Sequence, residues 1–405
     1  MSNIHFTDRD LPDSADVVII GGGLAGLFTA FFAAQAGLGR VLVLERRGAV
    51  ASLTSAHSAE GFRLEWDALE NIEMVRESVD VFDRFAEIVG LSGYDVGVEK
   101  NGYLFVSGSA GPAYRPARLK ERVERWHNLG LTDVEYLTGE QARHRFPFAG
   151  DAVEQAHFRA ADGFVDAAAV ARGLVLGGRF ETYVEAPVAA IQTSRSRVTG
   201  VRTRGGRTVA TETVVAAAGP FTRRLAEAAR APLAIENRRR HGLLLHLTPG
   251  MVDPSWPMVV DADLGLYWRP RPEGIFVGWE KALSWDQLPT DATDPVPADF
   301  SYLEQVRTHG RRLIRFWRDL PFDQVTWHTG QYVAAVPNDG RPVIGPHPAV
   351  EGLYVNTAYE GRGVMASPAG GRLLVRLIQG NADADANPFR VFSHGRGNEP
   401  DSMVL

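Results

Sequence analysis

The stretch Asp16-Val17-Val18-Ile19-Ile20-Gly21-Gly22-Gly23-Leu24-Ala25-Gly26-Leu27-Phe28 decides how the chain starts to fold. A β-branched run ends in Gly21-x-Gly23-x-x-Gly26, and an apolar helical pattern from Leu27 to Ala36 follows at once. In a strand–turn–helix each glycine has its own task. Gly21 permits the tight turn, Gly23 leaves the backbone bare for a pyrophosphate, and Gly26 lets the helix lie close on the strand. The helix start, at Leu24 and Ala25, offers free N–H groups and the positive end of the helix dipole to phosphate. Arg40-Val41-Leu42-Val43-Leu44-Glu45 reads as the next strand. Glu45 follows the last glycine by roughly twenty residues, where a carboxylate accepts both hydroxyls of an adenosine ribose. An acid there favours an unphosphorylated ribose, hence FAD or NAD over NADP. The bland alternative is a glycine turn with a surface glutamate; the strand before and the helix and strand after speak against it.

At 405 residues the chain is too long for one ordinary core, so two domains are expected. With 45% apolar and 23% charged residues it reads as soluble and globular, and a net charge of −6 argues against a general nucleic-acid binder. Cysteine is absent, which excludes disulfides, thiolate metal sites and a flavin tethered through sulfur. Met1 to Asp16 is polar and acidic rather than a secretory signal. The longest apolar stretch, Leu27 to Ala36, falls short of the ~20 residues of a membrane span, so a cytoplasmic location is expected. Asp261 and Asp263 lack partner ligands at useful spacing, so no metal is expected, and there is no Gly-x-Ser-x-Gly turn for a serine triad.

Beyond Glu45, the segment Ala51 to Arg63 crowds Thr54, Ser55, His57, Ser58 and Arg63 into a stretch without periodicity. Leu69 to Val89 has apolar residues at helical spacing, and Phe300 to Leu320 reads as a basic amphipathic helix with a solvated face. Val214-Val215-Ala216-Ala217-Ala218-Gly219-Pro220 is a second strand-to-glycine turn. Returned to the nucleotide-binding sheet, it brings Ala218 and Gly219 close to a cofactor; an ordinary buried strand is the other reading. Arg238 to Gly278 reads as antiparallel strands, Pro289 to Pro297 as a loop, and Gly363 to Gly380 as the last helix.

Together the glycine fingerprint, Thr54-Ser55…Ser58…Gly61-Phe62-Arg63, Ala217-Ala218-Gly219-Pro220 and a carboxy-terminal block carry a family likeness. That block is Gly340-Arg341-Pro342-Val343-Ile344-Gly345…Tyr359-Glu360-Gly361-Arg362-Gly363-Val364-Met365…Ser367-Pro368-Ala369-Gly370-Gly371. The chain resembles the FAD-dependent D-amino acid oxidase family, on the branch of sarcosine oxidase, glycine oxidase and the dimethylglycine dehydrogenases. The resemblance implies α/β plus antiparallel β architecture: a Rossmann-like FAD domain from residues 15–90, 150–225 and 328–390, and an antiparallel-sheet substrate domain from 91–149 and 226–327. It implies that Glu45 and Arg46 hold the ribose region, Val188 meets the adenine, and Thr54 and Ser55 approach the pyrophosphate and flavin. The loop Gly361-Arg362-Gly363-Val364-Met365 would run along the isoalloxazine edge, its N–H groups supporting negative charge on reduced flavin.

The departures bear on function. The cysteine that tethers flavin in sarcosine oxidases is matched by Gln331, and the lysine that speeds their reaction with oxygen by Phe276. Their second carboxylate-binding cation corresponds to Met365, while their first is retained as Arg63. Non-covalent FAD is therefore expected. A substrate carboxylate then rests on Arg63, with Arg269 in reserve; a structural salt bridge from Arg63 to Glu65 or Glu60 is the alternative. His57 stands near where dimethylglycine-type enzymes attach flavin, but its spacing from Thr54 and Gly61 does not match theirs. An active-site polar role and a structural one stay open for it. Tyr332 and Tyr359 flank the carboxy-terminal motifs as candidate pocket residues. The expectation is oxidation of a carbon–nitrogen bond in a small amine or amino acid by hydride transfer to flavin N5, giving an imine, with oxygen or another carrier taking the electrons. A flavin-dependent 2-hydroxy acid dehydrogenase, needing a base such as His57, and a non-catalytic FAD-stabilised assembly protein are the alternatives.

Overall fold

Val17–Ile20 is buried at every position, the pattern of a parallel strand covered on both faces. It pairs with Val41–Leu44 on one side and Val214–Ala216 on the other, both parallel. The computed structural model describes residues 4–108, 115–279, 292–294, 300–337 and 339–391, and for 328–332 the backbone only. Seven strands form the first sheet, in the order Ile4–His5, Glu181–Tyr183, Val41–Leu44, Val17–Ile20, Val214–Ala216, Leu353–Thr357, Val343–Pro346. Only the last pair is antiparallel.

The helix Leu24–Gln35 is apolar nearly all round and correspondingly buried. It packs on the carboxy-terminal helix Gly363–Ile378, where Gly371 permits the approach: a Cβ there would stand 2.9 Å from the Thr29 nitrogen. Gly26 makes the opposite contact. An added Cβ would run into the Gly21 carbonyl oxygen, so the turn closes only over a bare α-carbon.

A second sheet of eight strands is antiparallel except where Met258–Asp261 runs parallel to Tyr103–Ser107. Its order is Val325–Ala335, Glu236–His246, Gly274–Trp279, Leu266–Arg271, Met258–Asp261, Tyr103–Ser107, Gln155–Arg159, Glu135–Thr138. The two-architecture expectation holds, but strands cross the expected boundaries. Gln155–Arg159 and Val325–Ala335 complete ladders in the second sheet, while Ile4–His5 extends the first.

Two expected helices are also broken. The first divides at Arg84 into Leu69–Asp83 and Phe85–Val89. The other ends at Gly310, because the Trp317 indole occupies the space a Cβ would need and donates to the Val306 carbonyl at 3.1 Å. A 3-10 turn, Arg315–Asp319, takes over. Most of the loop Pro289 to Pro297 lies outside the described residues. Among the described residues no helix is long and apolar enough to cross a membrane.

Candidate active site

A cavity of about 840 Å³ is walled by both sheets. At the glycine turn, Gly21 holds φ +113°, and a Cβ there would meet the Ala217 carbonyl oxygen at 2.5 Å. Gly23 opens onto free space; the nearest atom to an added Cβ, beyond its chain neighbours, is Ser55 Oγ at 3.8 Å. The helix Leu24–Gln35 has no side-chain cap and no acid in its first turn, and Leu24 and Ala25 line the cavity. The Leu24 N–H reaches Ser55 Oγ only at 3.5 Å, and N–H donors at a helix start beside a bare glycine suit a pyrophosphate. Glu45 is oriented by the N–H groups of Gly22 and Arg47, each donating to one of its oxygens at 2.8 Å. Arg46 lies 3.8 Å over the Phe221 ring and donates to Asp294 at 2.8 Å; Arg47 donates to the same carboxylate at 3.0 Å. Thr54, Ser55, Val188, Ala218 and Gly219 complete this wall.

Toward the second sheet the wall changes character. Arg63 is 1% exposed, yet it borders the cavity. Its guanidinium lies 3.7 Å over the Trp66 ring, and Nη1 donates to the Glu65 carbonyl at 2.5 Å. Trp66 in turn donates from Nε1 to the Arg63 carbonyl at 3.0 Å, so the segment locks onto itself. Tyr103, Met258, Tyr267 and Met365 line the same cavity. Burial pushes the Tyr103 phenol up, so it stays neutral. Gly361, Gly363, Val364 and Met365 line the cavity at the start of the last helix, which also lacks a side-chain cap. Tyr359 donates to Asn356 Oδ1 at 2.5 Å, and Asn356 Nδ2 donates to Thr29 Oγ1 at 3.0 Å. That chain ties the carboxy-terminal loop to the first helix, and burial raises the Tyr359 phenol as well.

Residues 16–377 match the sequence model of DAO, the FAD dependent oxidoreductase family. The chain belongs to that family. The bovine (Bos taurus) "FAD-dependent oxidoreductase domain-containing protein 1" is 23% identical, over 93% of this chain and 83% of its own length. Among solved structures, L-proline dehydrogenase from P. horikoshii superposes with a TM-score of 0.78 at 21% identity, covering 92% of this chain and 95% of the other. Glycine oxidase from Geobacillus kaustophilus reaches 0.78 at 22% identity, over 95% and 100%. The cofactor of this DAO-family protein is thus FAD, and the glycine turn, the open helix end and Glu45 fit its dinucleotide.

Several sequence candidates are placed elsewhere by the fold of this oxidoreductase. His57 shares the turn that carries Thr54 and Ser55 but does not border the cavity; its N–H closes the turn onto the Leu53 carbonyl at 3.2 Å. Arg269 is behind the wall, its charge met by Glu60 at 2.6 Å and its ring-stacking by Phe164 at 4.4 Å. The Arg362 side chain also points inward, 4.7 Å over Trp66 and bonded to the Gly340 carbonyl, while Gly361, Gly363, Val364 and Met365 on either side of it line the cavity. Tyr332 sits opposite Arg239 in the ladder, and its side chain lies outside the described residues. Gln331 is placed the same way, opposite Arg240. Phe276 is buried beside Tyr267, ring centres 6.4 Å apart. Sequence reasoning missed Trp66, Tyr103, Met258 and Asp294. Both strands that supply Tyr103 and Met258 are buried at every position, so alternation gave no sign of which face met a cavity.

Proposed function

We propose that this oxidoreductase oxidises the carbon–nitrogen bond of a small amine or amino acid to an imine, with Arg63 holding an anionic group of the substrate. One observation supports the reading: a buried guanidinium, fixed by an aromatic ring and a carbonyl, borders the cavity on the side away from the glycine turn. Bound FAD supplies the two-electron acceptor that no side chain provides; the chain contributes position and electrostatics. A planar guanidinium presents paired donors to a carboxylate and so fixes its orientation as well as its charge. The N–H groups of Gly363 and Val364, at an uncapped helix start, favour negative charge developing in the cavity. The substrate amine has to enter neutral, since an ammonium has no lone pair to release the hydride, and the chain then needs no obligatory base. Glycine oxidase and L-proline dehydrogenase, two similar structures, are by name enzymes of amino acids, which agrees.

A 2-hydroxy acid would need a group to take its hydroxyl proton. Among the described residues no histidine lines the cavity, and His57, the base named for that alternative, is not among the lining residues. Anaerobic titration of the purified holoprotein with D-, L- and N-methyl amino acids and their hydroxy analogues tests the reading. Bleaching of the oxidised flavin by an amine and not by its hydroxy twin is expected. Bleaching by hydroxy acids alone, or by nothing in the panel, counts against it.

A further inference from the structure

Alternate residues of the strand Tyr103–Ser107 face opposite ways. Leu104 and Val106 pack into the core behind the second sheet, while Tyr103 and Phe105 join the core that includes the first helix. Tyr103 also lines the cavity, across the parallel ladder from Met258. Its hydroxyl ends against Gly61, another lining residue: a Cβ on Gly61 would run into that oxygen, so the bare α-carbon gives the phenol its place. A buried phenol ordinarily finds a partner, because a hydroxyl without one gives up water and receives nothing. Four tyrosines are buried among the described residues. Tyr183 donates to Glu181 at 2.9 Å, Tyr302 to the His241 carbonyl at 3.0 Å, and Tyr359 to Asn356 Oδ1 at 2.5 Å. Tyr103, 3% exposed, makes no hydrogen bond from its hydroxyl among the described residues. Tyr359 lines the same cavity with its proton already committed to Asn356, whereas that of Tyr103 is available to whatever the cavity holds.

We propose that the Tyr103 hydroxyl contacts the substrate, donating a hydrogen bond to an oxygen of its anionic group; this rests on the reading above that the substrate carries such a group. Both the state of the phenol and the chemistry of the substrate select this partner. Burial, ahead of the charges around it, holds the phenol protonated, so it has one O–H to give and does not serve as a base. The substrate amine has to be neutral to release a hydride, which leaves the carboxylate as the ionised group to be met. An O–H···O⁻ bond is about twice as strong as one between neutral groups. The sequence position fits a contact with substrate better than one with the dinucleotide phosphates. Those belong at the glycine turn beside Val17–Ile20 in the first sheet, and Tyr103 stands in the second. Tyr103 takes no proton and gives none up, and no bond to carbon is involved.

The test compares FAD-loaded wild-type protein with Tyr103→Phe, which removes the hydroxyl and keeps a ring against Phe105 and Phe164. Acetate, propionate and benzoate, unreactive carboxylates followed by their perturbation of the flavin absorbance, should bind the variant about tenfold more weakly, the lower end for losing a hydrogen bond to a charged group. In infrared difference spectra, the antisymmetric stretch of carboxylate-labelled benzoate should shift between the two proteins, a change that loss of packing alone would not produce. Affinity of the apoprotein for FAD, measured by flavin fluorescence, should agree between them within about twofold. Equal carboxylate affinity in the two proteins, or an unshifted carboxylate band, overturns the inference. A fall in FAD affinity as large as the fall in carboxylate affinity overturns it too, and assigns the hydroxyl to the cofactor. Wild-type protein that binds FAD but none of the three carboxylates overturns instead the reading of an anionic substrate, and the role given to Tyr103 falls with it.

Discussion

Glu60 and Arg269 meet at 2.6 Å across 209 residues of sequence, joining the segment after the cofactor turn to the middle of the second sheet. Arg271 adds a second guanidinium to the same oxygen, and the other oxygen of Glu60 takes the Ala167 N–H at 3.2 Å. Burial, with the charge of Arg271 next, lowers Arg269 to about 10. The two cations are not equivalent: the Arg269 side chain is 7% exposed and that of Arg271 30%. Removing one partner of a buried pair strands the other, at a cost of about 3–5 kcal/mol, whereas an exposed pair is worth about 0–1 kcal/mol. Glu60→Gln should therefore lose several kcal/mol in urea unfolding, and Arg271→Ala under about 1 kcal/mol. Equal losses would show that the pair is not organised in this way.

The turn makes a second prediction. Gly26→Ala puts a methyl group into the Gly21 carbonyl oxygen, backbone against backbone, with no flexible side chain to give way. Gly219→Ala is a different case: φ is +51° but nothing stands within 4 Å of the new methyl, so it carries only the left-handed penalty of ~1–2 kcal/mol. The purified Gly26→Ala protein should come out colourless or aggregated, while Gly219→Ala should retain FAD. The ratio of flavin to protein absorbance distinguishes them.

Residue contacts made within a few positions of one another were legible in the sequence, and those made across the fold were not. The strand Val17–Ile20, Gly21, Gly26 and Glu45 were readable because one short segment contains the whole strand–turn–helix device. Thr138 and Gln141, three positions apart, close a capping box at the start of the helix Gly139–Arg145 by the same short-range logic. Arg269, held in reserve for a substrate carboxylate, has its partner Glu60 in a distant segment, and a lone arginine on a strand looks the same whether it meets a ligand or a carboxylate. Arg362 misled in another way: flanking glycines marked a loop near the cavity correctly, but not that the side chain turns back over Trp66. Trp66 itself gave no signal, since its role depends on two guanidiniums brought to it from residues 63 and 362.

Arg63→Lys keeps the charge and removes the planar fork that rests on Trp66. A hydrogen bond to a charged group is worth about 1.5–3 kcal/mol, which is roughly 10–100-fold in KM for an anionic substrate. The change should fall mainly on KM, with kcat moved less, and amines lacking a carboxylate should be nearly indifferent to it. A uniform loss over both substrate types would assign Arg63 a structural part instead.

Asp294 accepts from both Arg46 and Arg47 at the dinucleotide end, but this clasp is partly open to solvent, with side chains a quarter to a third exposed. Such a pair is screened by salt and contributes at most about 1 kcal/mol. Asp294→Ala should speed FAD loss by no more than about fivefold, and high salt should bring the wild-type protein toward the variant. Release rates measured by flavin fluorescence decide it. A variant that cannot hold FAD at all would mean that Asp294 contacts something beyond the two arginines.

The pH dependence of stability follows from His157. The ring is fully buried, stacked on Phe105 at 4.4 Å between ring centres, and burial, with Arg122 and Arg63 adding to it, holds its pKa well below 6.5. The unfolded chain binds a proton at this position below about pH 6.5 and the folded chain does not. Stability from this group is thus fully present above that pH and is lost as pH falls, by up to ~1.4 kcal/mol per pH unit until the folded ring titrates. Asp162 acts with the opposite sign. Its raised folded value means the native state keeps a proton the unfolded chain has released, so its contribution declines as pH rises above the usual carboxylate range. Urea midpoints measured across pH should therefore fall on both sides of a maximum. His157→Phe keeps an aromatic ring against Phe105 and removes the titrating nitrogen, so the acid limb should flatten while the alkaline limb stays. An acid limb of the same slope in His157→Phe would place the loss in other groups and rule out a neutral, buried His157 as its source.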